Sequence, residues 1–287
     1  MRSDTGQCHA IDHLRASRNL APSVMKEKRF MATERSLWDF MIETYLYIFS
    51  LSTFSFPDLL DADLLDDFDM AFANLSRQSI LSGFLLGTAQ ELYALIPRAV
   101  MLCRRAYKSM EASGSMPAEL LLEIQFLVIK VIDWDCSSND PLLASCAEIY
   151  RHAVLALLLS EQQPIDNDIP TSFQDDPVGS LSLPLTYQLD LLVDRSITFL
   201  RSIDPSDGLA VTFCWPLAIL GSCARHTYQR SVFRQYLQDL SVTRQYGNLQ
   251  RTISLLEAFW ESGDHTRFTP GGLLMFMDAS GFHFSLA

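Results

Sequence analysis

The 287 residues contain six cysteines, and no two of them form a C-x₂-C pair. Zinc sites need thiolates clustered so that short loops present four ligands together. Cys8, Cys103, Cys136, Cys146, Cys214 and Cys223 are too scattered for that, and they read as small buried apolar residues. The H-E-x-x-H zinc signature is absent (His9 and His13 have its spacing but no glutamate between them), as are the glycine-rich phosphate loops of nucleotide binders and the G-x-S-x-G elbow of esterases. No metal or cofactor is expected. No strand-like alternation is sustained, and no apolar run approaches the 18 residues of a membrane span. The longest runs are Ala153–Leu159 and Val211–Gly221. Residues 1–29 carry Arg and Lys throughout without a compact apolar stretch, which excludes a secretory signal. The expected location is intracellular, nucleus or cytoplasm.

Positive charge is also scarce. The chain holds 22 Lys and Arg against 34 Asp and Glu, a net charge of −12. The first 29 residues contribute about +3, so the remainder stands near −15. Such a body repels a phosphate backbone, and direct nucleic-acid binding is not expected. Residues 1–33 read as a flexible basic segment ahead of one domain, 34–287.

That domain reads as all-α, about ten packed antiparallel helices. The hydrophobic share of 48% supplies a sizeable core. Helical spacing marks 34–53, and Pro57 ends it. Residues 58–70 hold six aspartates among leucines and read as an acidic amphipathic helix, an acidic loop or an activation-type segment. Ser76 is a candidate N-cap for 76–95, and Pro97 can open a new helix to about Ala112. Gly114–Pro117 is a turn. Further helices are expected at 117–134, 141–160, 182–202, 208–227, 229–243, 246–262 and 268–279. Residues 161–180, with three prolines and five acids, read as a linker or a lid.

Three stretches carry a resemblance. The first is Leu86-Gly87-Thr88-Ala89-Gln90-Glu91-Leu92 with Leu95-Ile96. The second is Ala147-Glu148-Ile149-Tyr150-Arg151-His152-Ala153. The third contains Trp215-Pro216-Leu217, Gly221, Arg230, Leu255-Leu256-Glu257 and Trp260. In order and spacing, over roughly 34–262, they resemble the fungal-specific transcription factor domain that follows the binuclear zinc cluster in fungal regulators. The resemblance implies packed helices, a homodimer or protein partner, and in some cases a small-molecule signal. The zinc cluster itself is not among these residues. Within the motifs, Gly87 inside a helix would mark a close helix crossing, because glycine costs a helix about 1 kcal/mol relative to alanine. Glu91 and Glu257 would cap helices or pair with Arg. Trp215-Pro216 would kink or start a helix, and Trp260 would anchor the core.

Candidate chemistry is limited. Glu148 and His152 lie at i and i+4 on one helix face, where a carboxylate can orient an imidazole for general acid–base work or simply tie two helices together. Asp135, with Asp133, follows the end of an apolar helix and is a second carboxylate candidate. Trp134 and Trp215 are candidate walls of an apolar ligand pocket. Arg225-His226 is a basic spot that suits an anionic or carbonyl-bearing ligand, or salt bridges to the surplus acids. Two functions are consistent with this set. One is a regulator without its own zinc cluster, working by dimerisation or by binding a partner or an apolar small molecule. The other is the same fold turned into a cofactor-independent cyclase or isomerase of secondary metabolism.

Overall fold

The computed structural model describes residues 32–60, 62–77, 85–136, 138–161, 184–244, 246–263 and 268–287. The basic segment through residue 31, with Cys8, His9 and His13, lies outside the described residues. So do most of the expected linker (162–183) and His265.

Among the described residues there are ten α-helices and no strand. They are α1 (Ala32–Ser55), α2 (Ala62–Arg77), α3 (Gln90–Ser113), α4 (Ala118–Ile132), α5 (Pro141–Leu159), α6 (Leu185–Leu200), α7 (Cys214–Ser222), α8 (Thr227–Arg244), α9 (Gly247–Glu261) and α10 (Pro270–Ser280). Short 3₁₀ turns at Pro57–Leu60, Gly87–Ala89 and Gly208–Phe213 lead into α2, α3 and α7.

Helix α5 is the centre. Asp140 caps it by accepting from Leu142 N–H at 2.9 Å, and Pro141 takes the first helical position, where its missing N–H costs nothing. From His152 to Leu159 every residue is buried. Helices α3, α4, α6, α7 and α10 surround it. Helix α5 is also long and apolar enough to cross a membrane by length and composition, but here its apolar surface is spent on its neighbours.

Several local expectations hold. Gly114 ends α3 in the left-handed conformation (φ +69°), its N–H returning to Met110 O. Trp215-Pro216 falls in the first turn of α7, so it starts a helix. Glu257 on α9 receives both a close Nε and an Nη2 (2.9 Å) contact from Arg234 on α8. Residues 62–70 of the acidic stretch lie in a helix, α2, and 58–60 in the 3₁₀ turn before it. In α2, Leu64, Phe68 and Phe72 are buried at i, i+4 and i+8, and Phe68 stacks on Phe49 with centroids 5.0 Å apart.

Others are corrected. Ser76 lies in the last turn of α2, so it caps no following helix. Pro97 starts nothing: α3 begins at Gln90 and runs through it to Ser113. A buried proline mid-helix forfeits one backbone bond, and the flanking packing of Ile96, Ala99 and Val100 carries the helix across. Gly87 is not at a helix crossing. Its φ is +50°, and a Cβ there would meet nothing within 4 Å; the residue is needed for a left-handed turn. The expected helix 208–227 is a 3₁₀ turn followed by the shorter α7.

The close crossing lies at Gly221 instead. A Cβ there would stand 2.8 Å from Leu256 Cδ1 of α9, and Trp260 Nε1 donates to Gly221 O at 2.9 Å. Gly221→Ala should therefore cost about 1–3 kcal/mol by overpacking. Leu256→Ala should cost about 2–5 kcal/mol by leaving a cavity. The double variant should cost less than the two together, since the new methyl fills space that Leu256 vacates. Urea unfolding midpoints of the three variants test this; strict additivity would mean the two sites do not touch.

A second contact gives a pH dependence. Glu161, just past α5, lies against the start of α10, where a Cβ on Gly271 would overlap its carboxylate. Burial pushes the Glu161 carboxyl up to about 7 from 4.5, despite a bond from Ser160 Oγ at 3.1 Å. The folded state then holds a proton that the unfolded chain releases. Glu161 should contribute stability at pH 4.5 that is lost as pH rises through about 7. Glu161→Gln should flatten that decline in unfolding measured from pH 5 to 8.

Candidate functional site

Glu148 and His152 share a face of α5, but no hydrogen bond joins them. Both residues project from α5. His152 is 2% exposed, and its Nδ1 lies 2.9 Å from Ser196 Oγ on α6. Ser196 Oγ is 2.7 Å from Leu192 O and donates there, so it accepts from His152 Nδ1–H. The remaining ring nitrogen, Nε2, lies 3.7 Å from Glu148 Oε2, beyond hydrogen-bond length. Glu148 binds Arg151 instead, through Nε at 3.0 Å and Nη2 at 2.7 Å. Burial, then the charges of Arg151 and Arg195, pushes the His152 imidazole down to about 3. A ring so weakly basic, walled by Phe199 at 5.8 Å, pins α5 to α6 as a neutral donor.

Asp135 is exposed on the connection from α4 to α5. His152 lies three turns into α5, about 16 Å along its axis from that connection. Trp134, half-buried, packs against the core beside Asp135. Trp215 is fully buried and stacks on Tyr150 (centroids 6.2 Å, 9°). Tyr150 in turn meets Tyr93 at 4.7 Å, and Tyr93 meets Tyr47 at 5.8 Å. The Tyr150 hydroxyl donates to Thr212 O. Beside this aromatic column is a cavity of about 30 Å³, bordered by Tyr93, Tyr150, Cys146, Leu86, Leu209 and Thr212. That is room for one or two waters. Small-molecule pockets run to roughly 300–1,000 Å³.

The basic spot is taken up by acids. Gln229, fully buried at the start of α8, accepts from the backbone N–H groups of Arg225 (3.0 Å) and His226 (3.1 Å). Its amide nitrogen donates to Asp194 Oδ1 at 2.9 Å, and the Tyr228 hydroxyl donates to the same oxygen. His226 stacks on Tyr228 (5.8 Å, 9°), with Nε2 3.8 Å from Asp190 Oδ2. Burial raises the Asp190 carboxyl, and Arg225 and His226 oppose that rise. Gln229 and Tyr228, through Asp194, thus hold the start of α8 to α6, with His226 beside Asp190. Downstream, Leu200, Val232 and Tyr236 floor an open trough of about 450 Å³ between α6 and α8, edged by Arg201, Gln235 and Asp239.

Sequence reading missed Ser196, Asp190, Asp194 and Gln229. Each meets its partner from more than 30 residues away, and no local spacing announces such a contact. It also missed the outer face of α4. There Leu122, Phe126, Ile129 and Ile132 are 64, 58, 56 and 48% exposed. The signal was available: Ala118–Ile132 is apolar on more than the one face a surface helix needs.

The His152 geometry predicts a pH response opposite to that of Glu161. The unfolded chain takes up a proton near pH 6.5 that the native state refuses until about 3. His152 packing should therefore stabilise fully above pH 6.5, losing roughly 1–2 kcal/mol by pH 5. Nitrogen NMR of the imidazole should show no titration between pH 5 and 8. A midpoint inside that window would mean that His152 reaches solvent.

Comparison with known proteins fits the helical organisation. The model of the fungal specific transcription factor domain matches residues 1–269, covering the stretch before α1 as well as the bundle up to the cap of α10. No curated protein and no solved structure matches. A match over that share of the sequence, on an all-α body carrying the three motifs in order, means that the chain belongs to the fungal specific transcription factor domain family.

Proposed function

We propose that this chain is an intracellular regulatory module that works by contact with other proteins, with any DNA contact made outside these 287 residues. The observation that carries the reading is how the molecule divides its surface. Of the side chains with chemical potential, His152 and Tyr150 are buried and bonded to neighbouring elements, and Glu148 is paired with Arg151 on its own helix. Helix α4 meanwhile leaves four large apolar side chains in solvent. Family membership supports a regulatory role in general. The acidic body, near −15 without the first 29 residues, supports partner contact over phosphate contact. A small apolar effector would find its place in the trough between α6 and α8.

The cyclase or isomerase reading requires a chamber that brings substrate to an ionisable group. Among the described residues the hollow beside Tyr93 and Tyr150 is an order of magnitude too small, and His152 faces Ser196 rather than a cavity.

Deletion of the gene separates the two. Regulation predicts that a defined set of transcripts shifts, and that His152→Asn and Glu148→Gln chains, if folded, restore them as well as the unaltered chain does. Unchanged transcripts with an accumulating precursor, cleared only when His152 is intact, would establish catalysis instead.

A further inference from the structure

We infer that the outer face of α4 is a docking surface for a helix of a different protein, one that carries an apolar stripe with a lysine or arginine at each end. The inference rests on the partner-contact reading above and adds the surface and the chemistry of the partner.

Glu119, Leu122, Phe126 and Ile129 of α4 and Asp133 at its cap are all exposed, and they follow one another at steps of three, four, three and four residues. That is the spacing of a heptad seam, the line along which one helix packs on another. The three central residues are large and apolar, and both ends are acidic. At 1.5 Å per residue, about 21 Å separates Glu119 from Asp133. The opposite face of α4 is already used: Leu120, Ile124, Leu127, Val128 and Val131 are buried in the core. The seam is therefore surplus to the fold. Exposed Ile132 widens it on one side. On the other, Lys130 lies over the Phe126 ring at 4.9 Å, and its methylene stem adds apolar surface.

The charges say what covers it. Among the described residues no cation lies within ion-pairing distance of Glu119 or Asp133, and exposed Asp135 adds a third acid just past the seam. Glu123, off the seam, is the contrast: Arg98 and Arg105 of α3 stand 3.7 and 3.8 Å from it. A helix laid along the seam in either direction sets each of its ends on an acid. Two cations fourteen residues apart, with apolar residues between them, meet both. A second copy fails on the same count. Centred on Phe126 and antiparallel, it faces Glu119 with Asp133 twice; parallel, it faces each acid with itself. The net charge of −12 also repels a second copy and draws a basic segment. The edge toward α3 carries exposed Arg98, Arg105 and Lys108, so the partner's matching edge is polar or acidic and its cations are confined to the ends.

Fluorescence anisotropy of the full chain with two synthetic peptides tests this, each about 22 residues so that a helix can hold. Both carry leucine at the three central seam positions. One has lysine at each end of the seam and the other has glutamate. The lysine peptide should bind about tenfold tighter at low salt, with the difference shrinking as salt is added, because two attractive exposed pairs are set against two repulsive ones. Glu119→Lys with Asp133→Lys should reverse the preference. Glu119→Gln with Asp133→Asn should level it, and this milder pair decides the matter if the reversed chain does not fold. Phe126→Glu should abolish binding of both peptides and leave circular dichroism unchanged, since that side chain is in solvent. Absence of binding, equal affinities, tighter binding of the glutamate peptide, or a preference that survives the Glu119 and Asp133 changes overturns the inference. So does a dimer in sedimentation velocity that Phe126→Glu dissolves, which would give the seam to a second copy. In the deletion strain the Phe126→Glu chain should fail to restore the transcripts. If it restores them, this inference alone falls. If deletion shifts no transcripts, the regulatory reading falls, and the peptide measurement still decides the surface.

Discussion

Helix α5 must be covered on every side, and the rest of the bundle follows from that. Its second half, His152 to Leu159, presents no polar face to water. A helix apolar all round is stable in a water-soluble fold only when neighbours enclose it. Five helices do so here. At an order of 2 kcal/mol for each large aliphatic side chain removed from water, this one helix is the largest single contribution to the core. Enclosure then sets a condition on every polar group α5 carries. A buried donor left unpaired costs about 1–3 kcal/mol. His152 is paired with Ser196, and the Tyr150 hydroxyl with the Thr212 carbonyl. These bonds specify which stretches of α6 and of the turn before α7 lie beside α5.

The same condition explains what the Glu-x-x-x-His spacing could announce and what it could not. An i, i+4 arrangement guarantees a shared face; it does not say whether the face looks at solvent or at another helix. Here Arg151, one residue from His152, takes the carboxylate, and Ser196, 44 residues on, takes the imidazole. Local signals were read well where the cause was local. The helix expected at 141–160 is present, the expected turn at Gly114–Pro117 follows the end of another, and Trp215-Pro216, read as a kink or a start, opens a third. They failed where packing overrode propensity. Pro97 is carried through α3 by the buried residues around it, and Gly87 serves backbone geometry rather than contact. The all-α class was legible because period-3.6 stretches filled the chain. The partners of Asp194 and Gln229 were not, because only the folded bundle brings 194 to 229.

Scarcity of positive charge gives the few arginines defined work. Arg104 joins α3 to Asp278 of α10 at 2.7 Å and donates to Phe54 O of α1 at 2.9 Å. Arg230 caps the last carbonyls before α8 and lies over the Phe268 ring at 4.7 Å. Exposed ion pairs are worth little in free energy. A forked guanidinium that also binds carbonyls fixes direction, and in each case it sets how two helices meet. Many of the described acidic residues face solvent.

Helices α2 and α4 show what separates a structural helix from one with something left over. Both lie on the bundle surface and both are rich in large apolar residues. Helix α2 buries Leu64, Phe68 and Phe72, exposes Asp66 and Asp69, and leaves only Met70 among its described large apolar side chains mostly in solvent. Most of its described apolar face is therefore spent on the fold. Helix α4 satisfies the core with one face and keeps a second apolar face that contributes nothing to folding. Such a stripe in water carries a solubility cost that a solvated helix avoids with lysines and glutamates. The bundle would fold as well without it. Leu122, Phe126, Ile129 and Ile132 are therefore apolar surface that the packing of the described residues leaves unused, whereas His152 and Tyr150 are already committed to it.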